Sequence, residues 1–502
     1  MVYYNVSISA KRKKADSQAE ISADRTEKMA LTFDRDQNDT IAAIATGMSE
    51  AGIGIVRISG TQAEDIIRRI YCTKSGSSMT SWKPNTIHYG YIRDPESDEV
   101  IDEVLVSWMK APHSYTTEDT AEINTHGGIY VLRRVLDAVL RAGARMAEPG
   151  EFTKRAFLGG RMDLSEAGAV MDLIRSQNEF SRRVSLAQLE GSVSKRVKEL
   201  RSSLIYEIAF IESALDDPEN YSLEGYPQHL RDKCEEILSQ LEAVLRRSEN
   251  GKLLQEGIRT VIIGKPNAGK SSLLNRLAGE ERAIVTSVAG TTRDTLEETV
   301  KLGDLTLRVT DTAGIHETED PVEKIGVERA RKAMETAQLF LFVLDASVGI
   351  TEEDQQIAAL IEEQLSLGKN CIVLLNKSDL PSVISAEEVQ KLWKTDRITC
   401  LSISALDCEG LELLESTIET MFHLGEIVSS SELFVSDDFQ KSAMRDTIRS
   451  LKLVIQSIEA GMSEDFFSID LRNAYASLGR MIGEEVEDDL VEEIFSRFCL
   501  GK

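Results

Sequence analysis

The segment Arg259-Thr-Val-Ile-Ile-Gly264-Lys-Pro-Asn-Ala-Gly-Lys270-Ser271-Ser-Leu-Leu274 decides the fold. Residues 259–263 are a short β-branched run of the kind buried in a parallel sheet. They lead directly into 264–271, which fit G-x-x-x-x-G-K-[ST], and Leu273, Leu274 and Leu277 then recur at helical spacing. A strand that turns through Gly264 and Gly269 into a helix N-terminus is a phosphate cradle. Its backbone N–H groups face the phosphates, and the helix end adds a positive dipole. The expected nucleotide contacts here are Asn267, Ala268, Gly269, Lys270, Ser271 and Ser272. Lys270 reaches the β- and γ-phosphates and the Ser271 hydroxyl binds magnesium.

A second strand-like run, residues 371–375, delivers Asn376-Lys377-Ser378-Asp379 at its C-terminal end, where open α/β sheets bind ligands. The Asp379 carboxylate can accept both the N1–H and the exocyclic amine of guanine. Adenine lacks that donor pair, and the resulting mismatch costs a factor of about 10⁴. The Lys377 stem flanks the base. After a further strand at 398–403, Ser404-Ala405-Leu406 supplies a backbone amide for guanine O6. Between these stations a strand at 305–310 ends in Asp311-Thr312-Ala313-Gly314. Asp311 is expected to hold magnesium through water, and the Gly314 amide to sense the γ-phosphate. Upstream of it lies Thr286-Ser287-Val288-Ala289-Gly290-Thr291-Thr292, with Thr292 as the switch threonine that ligates magnesium only when GTP is bound. A β-edge pair is the plain alternative for Thr291-Thr292, but the occurrence of all the stations in order favours the switch.

One position departs from the Ras pattern. Ile315 follows Asp-Thr-Ala-Gly where Ras-type enzymes place a water-orienting glutamine, and no arginine finger is evident in the chain itself. Asn267 offers a side-chain oxygen inside the phosphate loop, and the carbonyls of the small-residue loop 286–292 could complete a monovalent-cation site. Potassium there would bring the charge that an arginine finger brings elsewhere. Stiffening of the loop is the other role open to Asn267.

At 502 residues the chain has room for about three domains. The net charge of −26 argues against a protein that coats nucleic acid non-specifically, so any RNA contact runs through a local patch or a basic partner. Cys72, Cys234, Cys371, Cys400, Cys408 and Cys499 form no C-x-x-C pair, which suits a reducing, cytoplasmic setting. No apolar run approaches the length of a membrane span. Residues 1–36 read as a disordered extension or as a start placed too early, with Met29 as the alternative start.

The fold class expected is multidomain: an N-terminal α+β domain (37–157), a discontinuous helical bundle (158–256 and 423–502), and a P-loop GTPase domain (257–422) inserted between the two bundle parts. In the first domain, strands are expected at 40–46, 54–59, 86–92 and 104–108, with helices at 63–70 and 130–142. An apolar stripe from Leu164 to Ile208 and helical runs at 439–459, 469–482 and 486–498 make up the bundle. Cys499 reads as a small buried hydrophobe or as a reactive thiol, and Gly501 and Lys502 do not suit a prenylation signal.

With these pieces together, the chain resembles the MnmE or TrmE family of tRNA-modification GTPases from about residue 37 onward. The resemblance rests on Gly264-Lys-Pro-Asn-Ala-Gly-Lys-Ser-Ser272, Ile284-Val-Thr-Ser-Val-Ala-Gly-Thr-Thr-Arg-Asp294, Asp311-Thr-Ala-Gly314 and Val322-Glu323 before Ile325-Gly326. Outside the GTPase it rests on Gly54-Ile-Val-Arg-Ile-Ser-Gly60, Thr125-His-Gly-Gly128, Pro149-Gly-Glu-Phe152 with Arg155-Ala-Phe157, and Cys499-Leu-Gly-Lys502. It implies a potassium-activated GTPase in which Asn267, Thr286, Val288 and Thr291 match the potassium ligands, and Ser271 and Thr292 the magnesium ligands. Glu323 matches the residue that orients water in place of the missing glutamine. The resemblance also implies a site for a tetrahydrofolate derivative (5-formyl- or methylene-tetrahydrofolate) at Arg57, Glu122, Arg161 and Lys502, with Arg161 standing where a lysine is usual. Cys499 matches a terminal cysteine for which a role in one-carbon chemistry has been suggested. Implied partners are a second copy of the chain, an FAD-dependent MnmG or GidA protein, and tRNA, reached largely through that protein. The implied product carries a carboxymethylaminomethyl or aminomethyl group on the wobble uridine.

The competing expectation is an Era-like ribosome-assembly switch. Such a protein ends in a basic KH domain with a G-x-x-G loop, whereas this chain ends in an acidic helical segment. A P-loop kinase does not account for Asn376-Lys377-Ser378-Asp379.

Overall fold

The computed structural model describes residues 39–75, 82–176, 178–278, 297–303, 305–311, 333–393, 398–407, 409–422 and 434–484, and then 486, 491, 494–496, 498, 499 and 501. The chain divides into two compact units, Met1–Ala167 with Val486–Lys502, and Gly168–Glu485. Segment 486–502, grouped by the sequence pattern with the bundle, thus belongs with the first unit. Only isolated residues of the helical run expected at 486–498 are described, and the expectation for residues 1–36 lies outside the described residues.

The first unit is built on a sheet of β1 (Ile41–Ile44), β2 (Ala51–Ser59), β3 (Tyr71–Thr73), β4 (Thr86–Arg93), β5 (Val100–Met109), β6 (Thr120–Gly127) and β7 (Arg145–Met146). The spatial order is β3-β4-β5-β6-β2-β1-β7, antiparallel except at the β1–β7 pair. Alternation sets the core. Val104, Val106 and Trp108 of β5 point inward with Val56 and Ile58 of β2 and Ala121 and Ile123 of β6. Two helices cover that face, α1 (Ala63–Ile70) through Ile66, Ile67 and Ile70, and α2 (Ile129–Arg141) through Leu132, Val135 and Val139. Gly54 lets Leu132 approach, since a Cβ there would sit 2.6 Å from its methyl carbon. On the other side of β1, Ile41 and Ala43 pack with Phe152 of α3 (Glu151–Leu158). Strand β6 was not anticipated. Its inward residues are Ala121, Ile123 and Thr125, only one of them large and apolar, so the run Thr-Ala-Glu-Ile-Asn-Thr carries little strand signal.

Helix α4 (Leu164–Arg175) runs across the unit boundary, and in the second unit α5 (Glu179–Leu189) precedes the long helices α6 (Ser192–Asp216) and α7 (Tyr226–Glu256). The apolar stripe read as continuous is interrupted at Asn178, which caps α5 by accepting from Ser181 N–H, and at Gly191 with φ +82°. With α12 (Asp438–Glu459) and α13 (Glu464–Met481), α6 and α7 bury one core that includes Leu204, Ile211, Leu230, Ile237, Leu451 and Leu478.

Between α7 and α12 lies the second sheet: β8 (Ile258–Ile263), β9 (Glu297–Leu302), β10 (Leu305–Asp311), β11 (Leu339–Asp345), β12 (Asn370–Asn376) and β13 (Thr399–Ser402), in spatial order β13-β12-β11-β8-β10-β9. All pairs are parallel except the β9–β10 hairpin. All seven residues of β11 are buried, as expected of a central parallel strand covered on both faces. The helices of this layer are α8 (Lys270–Ala278), α9 (Glu352–Leu365), α10 (Ala386–Gln390) and α11 (Leu411–Met421). Phe180 of α5 and Phe434 enter the same core as Ile262, Leu307 and Leu341, and Asn178 Nδ2 donates to Thr306 Oγ1 at 3.1 Å. The flanking helices are therefore packed into the GTPase sheet.

Candidate functional site

Strand β8 is flanked by β10 on one side and β11 on the other, so the order in which strands are added reverses there, and the loop leaving β8 opens at a topological switch point. That loop is the phosphate cradle. Asn267 stands at φ +62° and Gly269 at φ +100°. Side chains are excluded on both sides: a Cβ at Gly264 would lie 2.4 Å from Val343 O, and one at Gly269 2.0 Å from Asn376 Nδ2. The Lys270 ammonium donates to the carbonyls of Gly264 (2.6 Å) and Lys265 (2.9 Å), which holds it over the loop. Ala268 is buried, while Asn267, Ser271 and Ser272 are exposed at the rim. Asp311 ends β10 in register with Ile262 of β8.

Asn376 has a role that the motif alone did not indicate. Its buried side chain donates to Ala268 O at 2.9 Å and accepts from Ala405 N–H at 3.0 Å, tying the phosphate loop to the Ser404-Ala405-Leu406 loop. Asp379 is left to read the base. Its Oδ1 accepts from the buried Ser404 hydroxyl at 3.0 Å, which fixes the carboxylate. Lys377 stands at φ +68° and donates to Asp345 Oδ2 at 2.5 Å. Burial pushes the Asp345 carboxyl up, but hydrogen bonds from Lys377 and Ser347 outweigh it and hold the group below the ordinary carboxylate range. Ser378 N–H donates to Ile403 O, and Leu406 is exposed.

Sequence reasoning also missed Lys265 and Asp354. The Lys265 ammonium meets Asp354 Oδ2 at 2.9 Å, with side-chain exposures of 13% and 1%. The same oxygen closes the capping box of α9 by accepting from Thr351 N–H and Thr351 Oγ–H. The signal available was Thr351-x-x-Asp354 ahead of a helical run. The end of β11 thus holds the base loop through Asp345, and the first turn of α9 holds the phosphate loop through Asp354. The expectations at Thr286, Ser287, Val288, Ala289, Gly290, Thr291, Thr292, Thr312, Ala313, Gly314, Ile315 and Glu323 lie outside the described residues.

A second cluster lies in the first unit. Arg57 and Glu122 are cross-strand neighbours on β2 and β6, with Arg57 Nε and a terminal nitrogen each 2.9 Å from Glu122 Oε1. The third guanidinium nitrogen donates to Gly501 O at 3.1 Å. Arg57 also lies 5.3 Å from the Tyr115 ring centroid and 5.5 Å from that of Phe152. Arg161 approaches the same tyrosine at 4.7 Å and donates to its carbonyl at 2.8 Å. The Arg57 charge is already neutralised by Glu122, whereas Arg161 has no carboxylate within ion-pair distance among the described residues. An aromatic ring beside one uncompensated guanidinium suits a planar, anionic ligand. Cys499 is exposed, and Lys502 lies outside the described residues.

The loop that carries Tyr115 is braced by an ionic cluster centred on the largely buried Arg155 and Glu151. Arg155 donates to Glu118 (3.1 Å), Asp39 (2.8 Å) and Glu151 (2.9 Å), and Arg145 joins Asp39 to Glu151. Burial raises the Glu151 carboxyl, but hydrogen bonds from Arg145, the Glu148 N–H and Arg155 bring it below its ordinary value. No helix among the described residues is long and apolar enough to cross a membrane.

A largely parallel sheet bearing a glycine-bounded phosphate cradle, a lysine over it and an Asn/Asp base loop braced by Ser404 defines a P-loop GTPase domain. The description "GTP-binding protein TrmE N-terminus" matches residues 40–161, and "MnmE helical domain" matches residues 164–499. The tRNA modification GTPase MnmE of Lachnoclostridium phytofermentans is 53% identical over 467 residues, covering 93% of this chain and 100% of that protein. The same-named protein of Geobacillus kaustophilus is 46% identical over 465 residues, covering 92% and 99%. The chain belongs to the MnmE family of tRNA modification GTPases. This full-length match sets aside the Era-like reading. Among solved structures, an Aquifex aeolicus Era variant is 29% identical over 39% of this chain and 66% of its own (TM-score 0.26). The G domain of the T. maritima FeoB iron transporter is 25% identical over 33% and 98% (TM-score 0.25).

Proposed function

We propose that this protein is a cytoplasmic GTP hydrolase of tRNA modification whose GTPase domain drives one-carbon chemistry held on its N-terminal domain. The GTP-binding set would comprise 267–272, 286–292, 311–314, 376–379 and 404–406. Ser271 and Thr292 would hold magnesium, and Asn267, Thr286, Val288 and Thr291 potassium. The two cations supply positive charge to the phosphates when bound. Lys270 binds the phosphates, Asp379 selects guanine, and Glu323 orients the attacking water. In the N-terminal domain Arg57, Glu122, Arg161 and Lys502 form the site for a tetrahydrofolate derivative, with Cys499 beside it. With an FAD-dependent MnmG or GidA partner, the complex adds a carboxymethylaminomethyl or aminomethyl group at C5 of the wobble uridine.

The observation that carries this reading is the pairing of two sites in one chain: a guanine-reading P-loop with Asn376 locking its loops, and an arginine–aromatic cluster built on β2 and β6. The Asn267 backbone, held at φ +62° with its side chain exposed at the rim, supports the cation role. The exposed Ile87, Tyr89 and Leu105 on adjacent strands β4 and β5 support a homodimer formed through the N-terminal sheet. The test is GTP turnover in potassium against sodium, with Glu323→Ala beside the unmodified protein. Potassium is expected to raise turnover about a hundredfold. Glu323→Ala is expected to keep GTP affinity and lose turnover. Equal rates in the two salts remove the cation role, and unchanged turnover removes Glu323.

A further inference from the structure

The motif Pro149-Gly-Glu-Phe152 with Arg155-Ala-Phe157 is left without a function by the reading above, and its two faces do different things. One face is ionic: Glu151 and Arg155 lock into Asp39, Arg145 and Glu118. The other receives Phe495, Phe498 and Cys499. Gly150 N–H donates to Cys499 O at 3.3 Å, and the Phe157 ring lies 6.1 Å from that of Phe495. The approach is backbone on backbone. Gly150 stands at φ +71°, and a Cβ there would lie 2.4 Å from Phe495 O and 2.8 Å from Phe498 Cβ. Gly501 stands at φ +87°, and a Cβ there would lie 2.4 Å from Ile44 O on β1. Both positions demand glycine on conformation as well as on space. The Gly501 carbonyl then accepts from Arg57, whose remaining nitrogens are held by Glu122.

We propose that Gly150 and Gly501 are positioning residues that seat segment 495–501, and that this seat is coupled through Arg57 to binding of the anionic ligand at Tyr115 and Arg161. The proposal rests on the folate reading of that site. Glu122 and the Gly501 carbonyl together fix the plane of the Arg57 guanidinium beside the Tyr115 ring. A ligand that contacts this fixed guanidinium binds better when the segment is seated, and by reciprocity its binding holds the segment down. The pairing of these glycines with Arg57 gives the Pro149 motif its role: it is the floor on which the Cys499 segment is registered against the ligand site.

The full-length protein tests this with 5-formyltetrahydrofolate as the probe, by calorimetric affinity and by hydrogen exchange of the peptide spanning 495–502. Saturating ligand is expected to slow exchange of that peptide about tenfold in the unmodified protein. Gly501→Ala is expected to weaken ligand binding about tenfold, the order of one lost charge-assisted hydrogen bond, and to abolish the protection. Gly150→Ala is expected to do the same from the other side of the contact. Gly501→Ala acts from within the seated segment and outside the α3 turn, so a folding defect of Gly150→Ala leaves the test intact. Unchanged affinity and protection in Gly501→Ala, with the ligand still bound by the unmodified protein, overturn the coupling and leave the folate reading standing. No binding by the unmodified protein overturns both.

Discussion

Replacing Asp354 with asparagine should cost the GTPase domain about 3 kcal/mol or more, the lower part of the range for breaking one side of a buried ion pair. The figure follows from burial. Asp354 is 1% exposed and Lys265 13%, so the carboxylate is the group that compensates an ammonium almost removed from water. Asparagine keeps the shape and still accepts from Thr351 N–H, so the α9 cap survives, while its amide NH2 takes the place of the buried, unpartnered Oδ1 and adds to the cost of the lost charge. Asp354→Ala removes the cap as well and should cost about 1 kcal/mol more. Lys265→Met combined with Asp354→Asn removes both charges and should recover about 1 kcal/mol or more of the single-variant loss, the buried asparagine NH2 retaining the rest. Urea unfolding reports the cost if it follows Trp393, which packs edge-on to Phe342 in the GTPase core, with Trp82 and Trp108 of the other unit replaced by phenylalanine. Heating should show the same loss as about 6–12 °C of the domain's transition. A single-variant cost below about 1 kcal/mol, or a double variant no better than the single, would refute the claim that the pair is held by its charges.

Further expectations follow from other contacts. Ser404→Ala removes the hydroxyl that orients Asp379 and should weaken GTP about fivefold while leaving the poor affinity for ATP unchanged; competitive nucleotide titration reads both. His126 donates to Asp102, and that hydrogen bond lifts its pKa above the ordinary 6.5. The contribution of this contact is fully present below pH 6.5 and is lost as pH rises through the raised value, so Asp102→Asn should lower the His126 titration midpoint seen by NMR. Burial, followed by the charge of Glu207, pushes the Cys234 thiol up to about 12, so alkylation at neutral pH should mark the exposed Cys499 well before Cys234 in peptide mass maps.

The GTPase core was legible because its chemistry is local. Residues 259–271 and 376–379 each place a strand end and its functional loop within a few positions of one another, and the expected strands fall close to β8 and β12. Asp379 was assigned from the motif, while Asn376 showed its locking role only once Ala268 and Ala405, distant in sequence, stood beside it. Lys265 and Asp354 are separated by 89 positions, and nothing local marks them as partners. In the N-terminal unit the unread strand β6 concealed the cross-strand pair Arg57–Glu122, and the contact between Gly150 and the Cys499 segment has no local trace at all. Charge pairs and glycine contacts that span the chain are set by tertiary packing, which periodicity does not encode.

The central claim, that GTP hydrolysis by this chain drives modification of the wobble uridine, is met most directly by nucleoside analysis of tRNA from a strain lacking the gene. The account predicts loss of the modified wobble uridine, its return on expression of the intact protein, and no return with Lys270→Ala. Intact modification in the deletion strain, or full rescue by Lys270→Ala, would contradict it.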